Sequence, residues 1–155
     1  MIRNKILSLA AAVLLLAGCA SNGSGSADGM GGMGQAGPGT QADLVQNVGD
    51  RVFFATDSST LSPDARAILD RQATWMGKYA NVKVTVEGHC DERGTREYNL
   101  ALGERRATAV RNYLVAKGVA ASRVSTISYG KERPEVLGSN EEAWARNRRG
   151  VTTVQ

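Results

Sequence analysis

Four consecutive residues, His89-Cys90-Asp91-Glu92, put an imidazole, a thiol and two carboxylates side by side in the stretch "EGHCDERGTREYN". Side chains of such types serve metal sites, thiol nucleophiles and clamps for charged ligands. The metal reading fails on ligand count. Neighbours in an extended run point in different directions, and a structural zinc site draws a second Cys or His pair from elsewhere in the chain. His89 is the sole histidine, and the only other cysteine, Cys19, lies far off near the N-terminus. No metal or other cofactor is expected. A Cys-His nucleophile needs the two side chains to meet, which adjacent residues seldom do. Cys90 is therefore expected as a small, partly buried loop residue, and His89 as a hydrogen-bonded structural one.

A stronger signal lies downstream. Asn99, Leu102 and Arg106 share one helical face with Val110 and Leu114, at spacings of three, four and seven. Arg106 thus stands where a core residue belongs, whereas its neighbour Arg105 turns toward water. A guanidinium on a packed face is costly unless it is satisfied. Asp91 closes the loop at the Asn99 end of this helix, and Asp57, just past the first strand, is expected near the same edge. Two readings follow. Asp91 and Arg106 form an internal ion pair that fixes the loop, or they line a pocket for a zwitterionic ligand, the Arg taking a carboxylate and the Asp an ammonium.

The elements that position these residues are legible in pattern. Arg51–Thr56 is β-rich and reads as a first strand. Ser62-Pro63 supplies an N-cap and a proline at the first helical position, and apolar spacing carries a helix to about Tyr79. Val82–Val86 alternates as a strand with one buried face. A second helix spans about Glu97 to Lys117 and stops at Gly118. Arg123–Tyr129 is a third strand, Glu141–Arg148 a short helix after a Ser139/Asn140 cap, and Val151–Val154 a final strand. The order βαβα-β-α-β predicts an α/β (α+β) sandwich, with helices packed on one mixed β-sheet.

The N-terminus has a different character. Arg3 and Lys5 precede an apolar run, Ile6–Ala17, too short for a stable membrane span and typical of a secretory signal. The run ends in Leu16-Ala17-Gly18-Cys19, which resembles a bacterial lipobox whose Cys is acylated; Ala20 after it resembles the signal for outer-membrane sorting. Ala20 to about Gln41 is nearly all Gly, Ser, Ala and polar residues and cannot bury enough apolar surface to order itself. It reads as a flexible tether with a typical reach on the order of 25 Å. The expected organisation is a signal over residues 1–18, a lipidated Cys and tether over 19–42, and one folded domain over 43–155. The full chain carries a formal charge of +4. Without Arg3 and Lys5 it has 17 basic against 15 acidic side chains, too mild and too mixed for a nucleic-acid binder.

The stretch "VTVEGHCDERGTREYNLALGERRATAVRNYL" resembles the OmpA-like peptidoglycan-binding domain family, most closely its lipoprotein branch. "VFFATDSSTL", "SYGKERPEVLG" and "NRRGV" extend the resemblance over about residues 51–154. The resemblance implies an α/β fold that binds peptidoglycan, through the diaminopimelate of the stem peptide, without enzymatic activity. By position, Asp91 and Arg106 match the family's ligand Asp and Arg. Asn99 and Leu102 match pocket-lining positions, Asp57 the acid after the first strand, and Arg148 a position near the site. The resemblance further implies an outer-membrane lipoprotein on the periplasmic side, anchored through Cys19 and partnered by TolB and other components of the Tol-Pal system, which serves cell division. Two positions depart from the family: Thr56 replaces its usual aromatic residue, and Cys90 replaces Thr or Ala. The rival readings are a wall hydrolase or thiol-redox lipoprotein using His89 and Cys90, and a purely structural lipoprotein.

Overall fold

The structure, a computed structural model, describes residues 36–155. The expected signal, Cys19 and most of the Gly/Ser-rich stretch lie outside the described residues.

The sheet has four strands: β1 (Arg51–Phe53), β2 (Val84–His89), β3 (Val124–Gly130) and β4 (Arg149–Val154). Their spatial order is β1-β4-β2-β3, with β2 and β3 parallel and β4 antiparallel to both β1 and β2. A parallel pair cannot be closed by a hairpin, so the chain between β2 and β3 crosses over through a long helix. That helix is α3 (Arg96–Ala116), capped by Thr95, whose hydroxyl accepts from the Tyr98 amide. Helix α2 (Pro63–Lys78) is capped by Ser62 and has a proline in its first turn, as the sequence predicts. The short helix α4 (Glu141–Asn147) is capped by Asn140. Helices α2 and α3 pack together, α2 against β1 and α3 against the other three strands, around a core of Leu44, Val52, Leu69, Met76, Val84, Val86, Val110 and Leu114. Fully burying side chains of this kind contributes about 1.5–3 kcal/mol each.

Glycines set how closely α3 approaches the sheet. A Cβ on Gly88 of β2 would run into the carbonyl of Gly103 on α3, and a Cβ on Gly103 would meet the Ser128 hydroxyl. The backbones touch because neither residue has a side chain. This contact brings the middle of α3, where Arg106 lies, against the end of β2.

Several details depart from the sequence reading. β1 ends at Phe53 rather than Thr56. β2 begins later than Val82 and runs on to His89. Val82 closes a turn on the Tyr79 carbonyl, and Arg123 caps this corner by donating to the carbonyls of Met76, Tyr79 and Val82. β4 begins at Arg149, which pairs in register with Phe53 of β1 and whose side chain is buried against Glu135 (3.1 Å). A helix not expected from the sequence precedes β1: α1 (Gln41–Asp43) runs on as a π-helical turn, Leu44–Val48. Buried Asp43 holds it in place by accepting from Trp75 Nε1 (2.8 Å), Asn47 Nδ2 (2.8 Å) and the Gly39 amide (2.9 Å). Gln41 accepts from the Val154 amide at 2.7 Å, so packing on the sheet starts slightly before residue 43.

Candidate functional site

The carboxyl end of β2 and the N-terminal half of α3 enclose a pocket of about 430 Å³. The β2–α3 loop delivers Cys90 and Asp91, just past the end of β2, with Arg93 and Gly94, and α3 delivers Tyr98, Asn99, Leu102 and Arg106; Thr56 and Asp57 close it from the loop after β1. Five of the six residues picked from the sequence, Asp57, Asp91, Asn99, Leu102 and Arg106, therefore line one cavity. The sixth, Arg148, stands behind the wall.

The charges are not joined as the internal-pair reading expects. Among the described residues, Asp91 and Arg106 form no direct ion pair. Arg106, 1% exposed, donates to three main-chain carbonyls: Nη1 to His89 (2.8 Å), Nε to Ser58 (2.8 Å) and Nη2 to Ala55 (3.1 Å). It ties the loop after β1 to the end of β2, with its guanidinium 5.2 Å from the Phe54 ring centre. Burial pulls its pKa below the ordinary guanidinium value, an effect opposed by the nearby Cys90 and Asp91; an Arg stays charged at neutral pH regardless.

Asp91 is held instead by Arg93 and Arg148. Arg93 donates Nε to Oδ1 (3.1 Å), Nη2 to Oδ2 (2.8 Å) and its amide to Oδ1 (3.1 Å). Arg148 reaches Oδ2 at 3.4 Å while donating to the Phe54 carbonyl (3.0 Å) and to Glu141 (2.7 Å). Burial alone would raise the Asp91 pKa, but the Arg93 and Arg148 hydrogen bonds hold it below the usual carboxylate value. Asp91 is therefore ionised at neutral pH.

The loop is pre-set for this geometry. Gly94 takes φ +92°, and the Asn99 side-chain amide donates to the carbonyls of Arg93 (2.8 Å) and Thr95 (3.0 Å). Lys131 donates to the carbonyls of Gly94 (2.6 Å) and Glu92 (3.2 Å). Across the pocket, Asp57 holds φ +52°, the one non-glycine residue with positive φ among those described, and accepts from the Tyr98 hydroxyl at 3.0 Å. A non-glycine residue in this conformation signals a position fixed by its surroundings. Leu102 and the aliphatic parts of the wall supply an apolar floor between the charged groups. The whole suits a small group carrying both an ammonium and a carboxylate.

Sequence reasoning missed Arg93 and Tyr98. Tyr98 puts an aromatic ring in the wall from α3, although position 56 holds a threonine. Its place one residue before Asn99 on the same helix was the available signal. Arg93 was hidden because loop residues have no periodicity. Cys90 and His89 are separated by the sheet: Cys90 Sγ donates to the Asn99 carbonyl (3.3 Å), while the His89 ring lies on the far face beside Glu87 (3.4 Å) and Tyr129. Burial pushes the Cys90 thiol pKa up, which disfavours the thiolate a nucleophile needs.

Residues 53–148 match the OmpA family. A peptidoglycan-associated lipoprotein of Rhizobium meliloti is 54% identical over 155 residues, covering 98% of this chain and 88% of that protein. One of Pseudomonas aeruginosa is 44% identical, covering 94% and 93%. The crystal structure of the peptidoglycan-associated lipoprotein from Burkholderia pseudomallei superposes with a TM-score of 0.68 at 36% identity, over 73% of this chain and all of that one. The C-terminal domain of Helicobacter pylori MotB, 24% identical, shares the fold with a TM-score of 0.64, over 68% of this chain and 84% of that one. The chain belongs to the OmpA family and, within it, to the peptidoglycan-associated lipoproteins.

Proposed function

We propose that the domain binds peptidoglycan non-covalently, its pocket taking the diaminopimelate side chain of the stem peptide. The observation that carries this reading is one cavity lined by a buried, ionised carboxylate, a second acid in a fixed unusual conformation, and guanidiniums, all on a pre-set frame. Asp91 accepts the ligand's ammonium, Asp57 lies across from it, Leu102 meets the methylenes, and Asn99 and Arg106 keep the loops at the right separation. Arg148 acts from behind by orienting Asp91. A site of this kind exchanges its ligand reversibly, as a wall under continual remodelling requires. The family and the relatives' names support this reading, and the separation of His89 from Cys90 favours a binding role over a thiol-based reaction.

In the same reading, Cys19 is acylated and anchors the chain in the outer membrane, the Gly/Ser-rich stretch of the expected 19–42 segment is the tether, and the domain holds the membrane to the wall from the periplasmic side. TolB and the other Tol-Pal components are its protein partners in cell division and envelope integrity. Chemical-shift mapping with a soluble diaminopimelate-bearing stem peptide tests the site. The largest amide shifts are expected at Asp57, Asp91, Gly94 and Asn99; shifts confined to other surfaces would remove the pocket from the account.

A further inference from the structure

We propose that the outer edge of β3, with the groove between it and α3, docks an extended basic segment of a partner protein as an added strand. None of the groove's residues lines the pocket at the end of β2, so this surface works independently of wall binding.

β3 ends the sheet order and, among the described residues, pairs only with β2. Its residues, Val124–Gly130, include no charge and no proline. Free edges are commonly blunted by shortness, charge or proline, because their unpaired N–H and C=O groups template another strand. The opposite edge is blunted in this way: β1 has 3 residues, and its Arg51 is ion-paired with Asp50 and Glu135. β3 has neither the shortness nor the charge. Its polar side chains do not shield the edge either. Thr126 Oγ1 donates to Glu104 (3.0 Å) and Ser128 Oγ to the Leu100 carbonyl (2.7 Å), so both hydroxyls turn onto α3.

The groove along this edge has a volume of about 540 Å³, with Leu100, Thr126 and Ile127 among its lining and Glu97 and Glu104 on its helical side. Leu100 is 51% exposed and Ile127 39%. No Lys or Arg lines the groove, and among the described residues neither carboxylate forms an ion pair. Its complement is an apolar side chain flanked by cations. The spacing suits a strand. Glu97 and Glu104 share a helical face with Leu100 between them and lie about 10 Å apart along the axis. The first and fifth residues of a strand point to one side about 13 Å apart, with the third between them. A cation, an apolar residue and a cation at those three positions meet Glu97, Leu100 and Glu104, while the backbone pairs with β3. A second copy of the chain fits worse, since pairing two β3 edges sets groove against groove and adds two carboxylates to two.

The probe is the acetylated and amidated peptide Lys-Thr-Val-Thr-Lys, titrated into isotopically labelled full chain in detergent and followed by amide chemical shifts and hydrogen exchange. The largest shifts are expected at Ser125, Thr126, Ile127, Leu100 and Glu104, with slower exchange along β3. Added salt should weaken binding. The double variant Glu97→Gln with Glu104→Gln, whose spectrum away from the groove shows that it is folded, should bind about fivefold more weakly, the scale of two exposed charge pairs. Glu-Thr-Val-Thr-Glu should bind more weakly still, as should Lys-Thr-Pro-Thr-Lys, whose centre lacks an N–H. Equal binding of the basic and acidic peptides, or of wild type and double variant, would overturn the charge match that selects the partner. Shifts confined to other surfaces, or no shifts, would overturn the docking edge itself. Shifts along β3 that follow protein concentration without peptide would overturn the proposal in favour of a second copy.

Discussion

Arg106 donates to the carbonyl oxygen of His89 at 2.8 Å, so the buried guanidinium of the pocket is fastened to the backbone of the strand end that presents Asp91. With its other bonds, to Ser58 and Ala55, it joins two loops that have no covalent reason to stay together. Arg106→Ala should therefore destabilise the fold by about 3 kcal/mol or more, since it removes charged hydrogen bonds and leaves three carbonyls to find other donors. Arg106→Lys should recover only part, because one ammonium cannot reach three separated acceptors. Urea unfolding of the three proteins checks this.

Asp91 should couple more strongly to Arg148 than to Arg106. The first pair shares a 3.4 Å contact between side chains that are both nearly buried, and the second has no direct contact. A double-mutant cycle on unfolding free energy should give about 1 kcal/mol or more for Asp91 with Arg148, and clearly less for Asp91 with Arg106. The reverse order would restore the internal-pair reading.

His89 gives the stability a pH dependence of known sign. Burial, together with the positive charges of Arg149, Arg133 and Arg51, pushes its pKa down to about 4. Glu87 and the Tyr129 ring are its other neighbours. The unfolded chain takes up a proton below about pH 6.5 and the native state only near 4, so the folded state loses up to roughly 3 kcal/mol as pH falls through that window. The contribution of Asp91, whose pKa is lowered, is lost only at still lower pH. Unfolding midpoints at pH 7, 5.5 and 4.5 should decline, and His89→Gln should flatten the decline.

Two glycines should respond in opposite directions to alanine. Gly88→Ala forces a methyl group into the Gly103 carbonyl and is expected to cost about 3 kcal/mol, at the upper end for overpacking because backbone must move. Gly77, in α2, has nothing near the position of a Cβ, so Gly77→Ala should stabilise by about 0.5–1 kcal/mol through helix propensity. Thermal melts of both variants decide the matter.

Legibility in the sequence followed periodicity. The faces of α2 and α3, their Ser62 and Gly118 boundaries, and the burial of Arg106 were readable because packing imposes a period on helices. Asp57, Asp91, Asn99 and Leu102 stood out by residue type and by the family resemblance. What stayed hidden depends on contacts between segments distant in the chain. One of the two readings paired Arg106 with Asp91, yet its partners are main-chain carbonyls, which no residue type announces. Arg93 holds Asp91 from two residues away in an aperiodic loop. α1 is held by Asp43 through Trp75, a partner 32 positions further on. The true extent of β2 was masked because Glu87 and His89 face the polar side of the sheet and look like loop residues.

The most direct test of the account is co-sedimentation of the full chain with purified peptidoglycan sacculi, comparing wild type with Asp91→Asn. The substitution keeps the shape of the side chain and removes the charge proposed to receive the ammonium. Wild type found in the pellet, with folded Asp91→Asn left in the supernatant, is the predicted result. Equal pelleting of both would contradict the claim that this pocket holds the wall.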